Sequence, residues 1–458
     1  MCVPYLKPCH PRNITMSATM SPVSVWPVSQ YAEEGDPVLF KRSRTWWTII
    51  VLCFFSGGIT WFAKQDNTYY HRTVTERYSH SPVYLLATVV TWAITGTLMA
   101  RHMAPTMRAL SKQKPLIAVA VYAMVSSVWS YEPSRSFRQG IMLLACFAFG
   151  AFLATYYSRT DQRRIILAAG TIMAVASLTW VLLLPSYGIA SAGEVIGEWK
   201  GVYPQKNILG VEMVAFFSVL PFRRILNRRQ LRTIFLQALI PLLLVFKSHS
   251  REALIIAALY LFIRVCGPFV ASSRKGRLPL IIYLGVLVPL GIVSAWNTVL
   301  SLIPGASISW SGRLQEWGAV VPFIVEHVWI GYGYQAFWTG QGDSLKVINA
   351  THAALIGSDS GYTDNMLSFG LLGMFIISIV FLASIRDFVK LLRHPSIPIM
   401  GYWYIGFIIN TLAQSLVGNA FPLAGLYTIL FALACCGLTG LRSDNNGHSS
   451  TLPITHSH

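Results

Sequence analysis

A chain of 458 residues that is 54% hydrophobic and 12% charged, with a mean hydropathy of +0.51, carries too little charge for an ordinary water-soluble protein. Its formal net charge of +18 is no argument for a nucleic-acid partner, because membrane proteins gather Lys and Arg on their cytoplasmic connections for topological reasons. Composition therefore points to a bilayer.

Residues 1–40 are rich in Pro and Ser, lack the apolar core of a signal peptide after a basic start, and read as a mobile cytoplasmic tail. A membrane crossing requires about 17 to 25 mostly apolar residues, because only a helix satisfies its own backbone in hydrocarbon. Runs that meet or approach this length lie near 46–63, 82–100, 115–131, 139–157, 165–185, 208–222, 233–247, 253–271, 278–296, 362–383, 399–417 and 421–440. The expected fold is all-α, a polytopic bundle of about twelve transmembrane helices over 41–440, followed by a cytoplasmic tail at 441–458.

Basic residues cluster at alternating ends of these runs. Assigning the clusters to the cytoplasm puts 25 of the 36 Lys and Arg inside, with both termini there too. The outer connections are then 64–81, 132–138, 186–207, 248–252 and 297–361. The last is longer than a linker needs, and is expected to carry short amphipathic helices forming a lid over an outward-facing cavity. Of the seven cysteines, five lie in apolar runs and two in the N-terminal tail, so no structural disulfide is expected.

Basic residues left on the outer face run against the topological bias and need a reason: Arg135, Arg138, Lys200, Lys206, Arg251 and Arg313. Four motifs surround them. The first runs from Glu198, Trp199, Lys200 and Gly201 through Gln205, Lys206 and Asn207 to Leu209-Gly210. The second is Ser248-His249-Ser250-Arg251. The third joins Ser311-Gly312-Arg313 and Trp317 to Gly331-Tyr332-Gly333-Tyr334-Gln335-Ala336-Phe337-Trp338. The fourth is Asp359-Ser360-Gly361-Tyr362-Thr363-Asp364-Asn365, leading to Gly370-Leu371-Leu372-Gly373.

In order and spacing these segments resemble those of the O-antigen ligase and Wzy-type polysaccharide polymerase family, with the Lys-Asn-x-Leu-Gly segment most similar to ExoQ-like exopolysaccharide members. The resemblance covers roughly residues 40–440, and its specific motifs lie between 135 and 373. The chain departs from the family pattern where many members have His-Asn and this one has Asp359-Ser360, and where His often precedes Lys-Asn and here stands Gln205.

The resemblance implies a GT-C-like glycosyltransferase of the bacterial inner membrane, active at the periplasmic face. Such an enzyme polymerises or transfers undecaprenyl-diphosphate-linked oligosaccharide onto a sugar acceptor, needs no metal or other cofactor, and works beside a Wzz-like chain-length regulator in the surrounding membrane lipid. A departing diphosphate accumulates negative charge, which fixed guanidinium groups stabilise best where water is scarce. Arg251 and Arg313 are the expected diphosphate clamp, supported by Lys206 and Arg138. The acceptor hydroxyl benefits from a base, for which Asp359 is the first choice and His352 the second. Trp199, Tyr334 and Trp338 are the candidates for stacking on sugar.

Plainer readings stand beside these. Arg251 can snorkel to headgroups, Arg313 can pair with Glu316 or Glu326, Lys206 can mark a helix start, and Asp359 can cap the following helix. Aromatic residues also gather at membrane interfaces whatever their function. Among whole-protein alternatives are a ligase that attaches glycan to lipid A core and a membrane transporter. No Asp-x-Asp pair for a nucleotide sugar's metal and no Walker-type loop is present in the sequence.

Overall fold

The computed structural model describes residues 38–58, 82–190, 197–220, 228–272, 310–351, 357–391, 397–416, 418 and 421–449. The described chain is helical, with one isolated bridge between Ile189 and Trp199. In order, the helices are α1 (Val38–Phe55), α2 (Pro82–Met99), α3 (Met103–Ser111), α4 (Lys114–Val125), α5 (Pro133–Tyr156), α6 (Arg159–Leu183) and α7 (Lys206–Phe217). They continue with α8 (Arg228–Lys247), α9 (Arg251–Ser272), α10 (Trp310–Glu326), α11 (Gly342–Thr351), α12 (Gly361–Leu391), α13 (Ile399–Gln414) and α14 (Leu426–Ser449).

Eleven of the twelve expected apolar runs fall on a helix, and the run at 278–296 lies outside the described residues. Among those residues, α5, α6 and α12 are long and apolar enough to cross a membrane, while Lys114–Val128 and Leu426–Arg442 are shorter apolar stretches. Many large apolar side chains face outward, among them Phe235, Leu236, Leu242, Phe246, Phe375 and Leu382. Such a belt would drive aggregation in water and belongs against lipid. The protein is a membrane protein.

The centre of the bundle is α5 against α14. Lipid tails are as apolar as the helices, so helix pairing relies on close packing instead of a hydrophobic drive. At Gly150 a side chain would meet the Ile429 carbonyl oxygen at 2.5 Å and Ala432 at 2.6 Å, and the missing Cβ is what allows the backbones to approach. Helix α4 lines the other side of α5, α12 rests on α4 and α14, and α13 joins α14 to α9.

The bundle has two polar ends, joined by α5, which at 1.5 Å per residue is about 36 Å long. At one end Arg44, buried, bonds His102 Nε2 at 2.9 Å and the Tyr156 hydroxyl at 3.3 Å. There Tyr404 donates to Gln162 at 2.7 Å, and Arg442 pairs with Asp387 at 2.9 Å. At the opposite end lie Ser126 to Ser136, the start of α7, the start of α9 and the start of α12.

Two elements depart from expectation. Helix α3, in the connection after α2, is too short and too mixed in polarity to register as an apolar run. Helix α12 is broken at Gly370, where φ is +62° and ψ is −165°. The break is filled by the segment after α10. Leu371 and Leu372 give their N–H groups to the Val328 and Trp329 carbonyls at 2.8 and 3.1 Å, and the Leu367 carbonyl accepts from Tyr332 N–H at 2.7 Å. Tyr122 donates to the Phe369 carbonyl at 3.1 Å. Backbone groups freed in a membrane helix must find partners, and here the loop supplies them. Gly331, at φ +66°, allows that approach, since a Cβ there would lie 2.6 Å from the Leu367 carbonyl oxygen.

Candidate functional site

The four motifs form one continuous line of contact. Gly210 of the first packs on the second, where a Cβ would meet Ala253 at 2.7 Å and Ser250 at 2.9 Å. Glu252, next to Arg251, is buried and accepts a hydrogen bond from the Gln414 side-chain amide at the end of α13. Glycine at 418 leaves room for that carboxylate, and the Gly418 carbonyl accepts the Gly361 N–H at 2.9 Å, which brings in the fourth motif. The third joins it twice: Trp317 donates to the Ser358 carbonyl at 2.9 Å, and Trp338 donates to the Asp364 carboxylate at 2.8 Å.

Arg251 is the first residue of α9, behind Ser250, whose hydroxyl accepts from Ala253 N–H at 3.3 Å as a helix cap does. A cation at the positive end of a helix dipole is unfavourable, and an anion held there relieves both charges. Among the described residues Arg251 makes no hydrogen bond or ion pair, and it is half-exposed. His249, exposed beside it, sits in the left-handed region at φ +49°.

The other expected residues are arranged differently. Lys206 begins α7 and forms an ion pair with Glu198 at 2.5 Å, so its ammonium is already engaged. Arg138 is exposed on the first turns of α5, while Arg135 points inward and donates to the Trp338 carbonyl at 3.5 Å. The Arg313 backbone lies in the first turn of α10, with its side chain outside what is described, and His352 lies outside the described residues. Asp359 is exposed at the rim, at φ +50°, between the buried Ser358 and Ser360. The carbonyl that accepts the Asp364 N–H, the first of α12, belongs to Ser360, which puts Asp359 one residue ahead of the cap position.

Of the aromatic candidates, Trp199 is half-buried, with the Lys247 ammonium 5.9 Å from its ring centroid. Tyr334 is 2% exposed, stacked on Phe369 at 5.0 Å and bonded through its hydroxyl to the Pro422 carbonyl. In this conformation its ring has no face open to a sugar. Trp338 is buried edge-on against Phe337 at 5.1 Å, with its N–H on Asp364. The third motif thus builds the scaffold that holds the fourth.

Burial lowers the Lys200 ammonium below the ordinary lysine value, and burial chiefly raises the Tyr332 phenol, with Glu326 and Asp343 adding to it. No group of three or more His, Cys, Asp or Glu with metal-holding geometry occurs among the described residues. Glu252 and Gln414 went unnoticed in the sequence: an acid in the first turn of a helix reads as dipole compensation, and Gln414 lies far away along the chain.

Residues 236–378 match the protein family described as O-antigen ligase. The matched segment holds the second, third and fourth motifs and ends beyond the break in α12. A comparison with curated proteins returns no match.

Proposed function

We propose that this O-antigen ligase-like chain is a multi-pass inner-membrane glycosyltransferase that polymerises undecaprenyl-diphosphate-linked oligosaccharide at the periplasmic face. The observation carrying this reading is the line of contact from Arg251 through Glu252, Gln414 and Gly418 to the segment bearing Asp359. It supports a site in which an arginine suited to a diphosphate works with an acid suited to a hydroxyl. In the reaction the acceptor hydroxyl oxygen bonds to the donor's anomeric carbon and the bond from that carbon to the diphosphate oxygen breaks. The polyprenyl diphosphate departs with the electron pair, and the hydroxyl proton passes to the base.

Arg251, together with Arg313, stabilises the leaving diphosphate, and Asp359 takes the proton. Lys206 and Arg138 provide further positive charge, while Trp199 borders the glycan and Trp338 holds Asp364 in place. The reaction draws on the donor's own bond and takes neither a metal nor a nucleotide sugar. The basic end of the bundle, with Arg44, Arg159, Arg386 and Arg442, faces the cytoplasm and the motif end faces the periplasm, by the excess of positive charge inside. A Wzz-like chain-length regulator is the expected membrane partner.

Transfer of finished glycan to lipid A core is a second reading, favoured by the description of the matching family. Gel analysis of surface glycan and lipid-linked intermediates separates the two in a deletion strain complemented by the wild type or by Arg251→Ala at equal membrane abundance. Single repeat units accumulating on the carrier in both the deletion and the variant support the polymerase. Full-length polymer stranded on its carrier means a ligase, and unaltered glycan in the deletion strain removes both readings in favour of transport.

A further inference from the structure

A lid over a periplasmic cavity would turn a polar face to water, whereas the middle of α10, between Gln315 and Glu326, turns an apolar one outward. Of its described side chains the exposed ones are Gln315, Gly318, Val321, Pro322, Val325 and Glu326, with Trp329 just beyond the helix end. Val325 is 67% exposed and Trp329 is 70% exposed. The opposite face is occupied, since Val320 is buried with Tyr332, Phe337, Trp338, Val347 and Leu367. A helix at the surface of a water-soluble lobe would reverse this pattern on its outer side.

The apolar edge continues past α10. The bonds from Leu371 and Leu372 to the Val328 and Trp329 carbonyls put Trp329 against the outward side of α12. There Leu371, Leu372, Phe375, Ile379 and Leu382 are exposed on a helix long and apolar enough to cross the membrane. The environment of those side chains is hydrocarbon. Val321, Val325 and Trp329 extend the same surface upward from the break in α12.

We propose that α10 is an interfacial helix whose Val321, Val325 and Trp329 edge is seated in the acyl chains of the leaflet on the motif side. The occupant of this edge is bilayer lipid, because the edge is continuous with the lipid-facing side of α12. An indole at the foot of such a helix suits the boundary between headgroups and acyl chains. The same helix is tied by Trp317 to Ser358, the neighbour of Asp359. The depth of α10 in the leaflet therefore sets the height of Asp359 relative to the lipid headgroups. This inference needs only that α12 crosses the membrane, and stands apart from the reaction assigned above.

The test places a nitroxide at Val325→Cys in the full-length protein in lipid nanodiscs and compares its collisions with oxygen and with a water-soluble nickel chelate. Phe375→Cys is the lipid reference and Lys346→Cys the water reference, with the signal of the labelled parent chain subtracted. The expected result is an oxygen-to-nickel collision ratio at Val325 raised to the Phe375 value. A ratio matching Lys346 overturns the proposal, as does poor access to both reagents, which would mean that protein covers the edge. Val325 is exposed, so the substitution removes no core packing.

Discussion

Trp338 donates its indole N–H to Asp364 across 2.8 Å, and the same carboxylate oxygen also accepts the Ser358 N–H at 3.0 Å. One buried acid thus holds the loop motif and the approach to α12 together. Removing it by Asp364→Ala leaves two buried donors without an acceptor, at a cost of about 1–3 kcal/mol each. Thermal unfolding in detergent should show a large loss for Asp364→Ala and a smaller one for Trp338→Phe. A double-mutant cycle between Trp338→Phe and Asp364→Ala should return a coupling of about 0.5–3 kcal/mol. Additive effects would mean that the bond contributes nothing of its own.

Gly370→Ala should be among the most damaging single changes in the bundle. The position has φ +62°, and a Cβ would lie 2.5 Å from the Ile330 nitrogen, part of a backbone that cannot yield. Strain of this kind costs on the order of 1–3 kcal/mol before the steric clash is added. Membrane abundance and melting temperature should both fall. Gly57→Ala, also at positive φ but with open space around it, isolates the strain alone and should be milder.

Arg251→Ala and Arg313→Ala are expected to leave the protein inserted and abundant while abolishing high-molecular-weight glycan. Arg251→Lys should recover only part of the activity, because an ammonium provides a point charge where a diphosphate favours a planar fork. Asp359→Asn should lower turnover far more than donor binding, since it removes a base without removing volume. Unchanged turnover in that variant would leave Asp359 a role in the backbone turn alone.

Lys206 and Glu198 offer a clean comparison. If the 2.5 Å pair is only a clasp, breaking it from either side should have equal consequences. Polymer formation is expected to fall further in Lys206→Met than in Glu198→Gln, because only the first removes positive charge from the site. Both should change the melting temperature modestly, in keeping with about 1 kcal/mol or less for a partly exposed pair.

Lys200 gives a pH signature. Burial lowers its pKa in the folded protein below the unfolded value near 10.5. Between those two values the unfolded chain binds more protons, so stability rises with pH across that window. The burial penalty is fully present below the folded pKa and is relieved as the pH approaches 10.5. Lys200→Met should flatten the rise in melting temperature as the pH approaches 10.5 from below, and an unchanged slope would assign it to other groups.

The positions of the helices were legible because a long apolar run satisfies its backbone as a helix: α2 and α13 begin where their runs do, while α5 and α6 begin six residues earlier, on polar turns that the apolar pattern left out. The break in α12 was not, since a single glycine in an apolar run is tolerated in an ordinary helix and its φ depends on a distant loop. The motifs were legible as patterns, but their division of labour was not. Tyr334 and Trp338 read equally well as sugar platforms or as aromatics of the membrane interface, and only the partners at Phe369, Pro422 and Asp364 put them in the interior. Lys206 looked available because Glu198, eight positions back, gave no sign of reaching it.

The break at Gly370 also divides the responsibilities of α12. From Leu371 to Ile385, the last residue before the basic end begins at Arg386, the helix rises about 22 Å, most of a hydrocarbon core about 30 Å thick. Above the break, Asp364, Asn365 and Ser368 are buried in protein and so are kept from hydrocarbon. A thicker or thinner bilayer can tilt the lower shaft while the loop clamps the upper head, so the acid-bearing segment keeps its bearing in membranes of different composition.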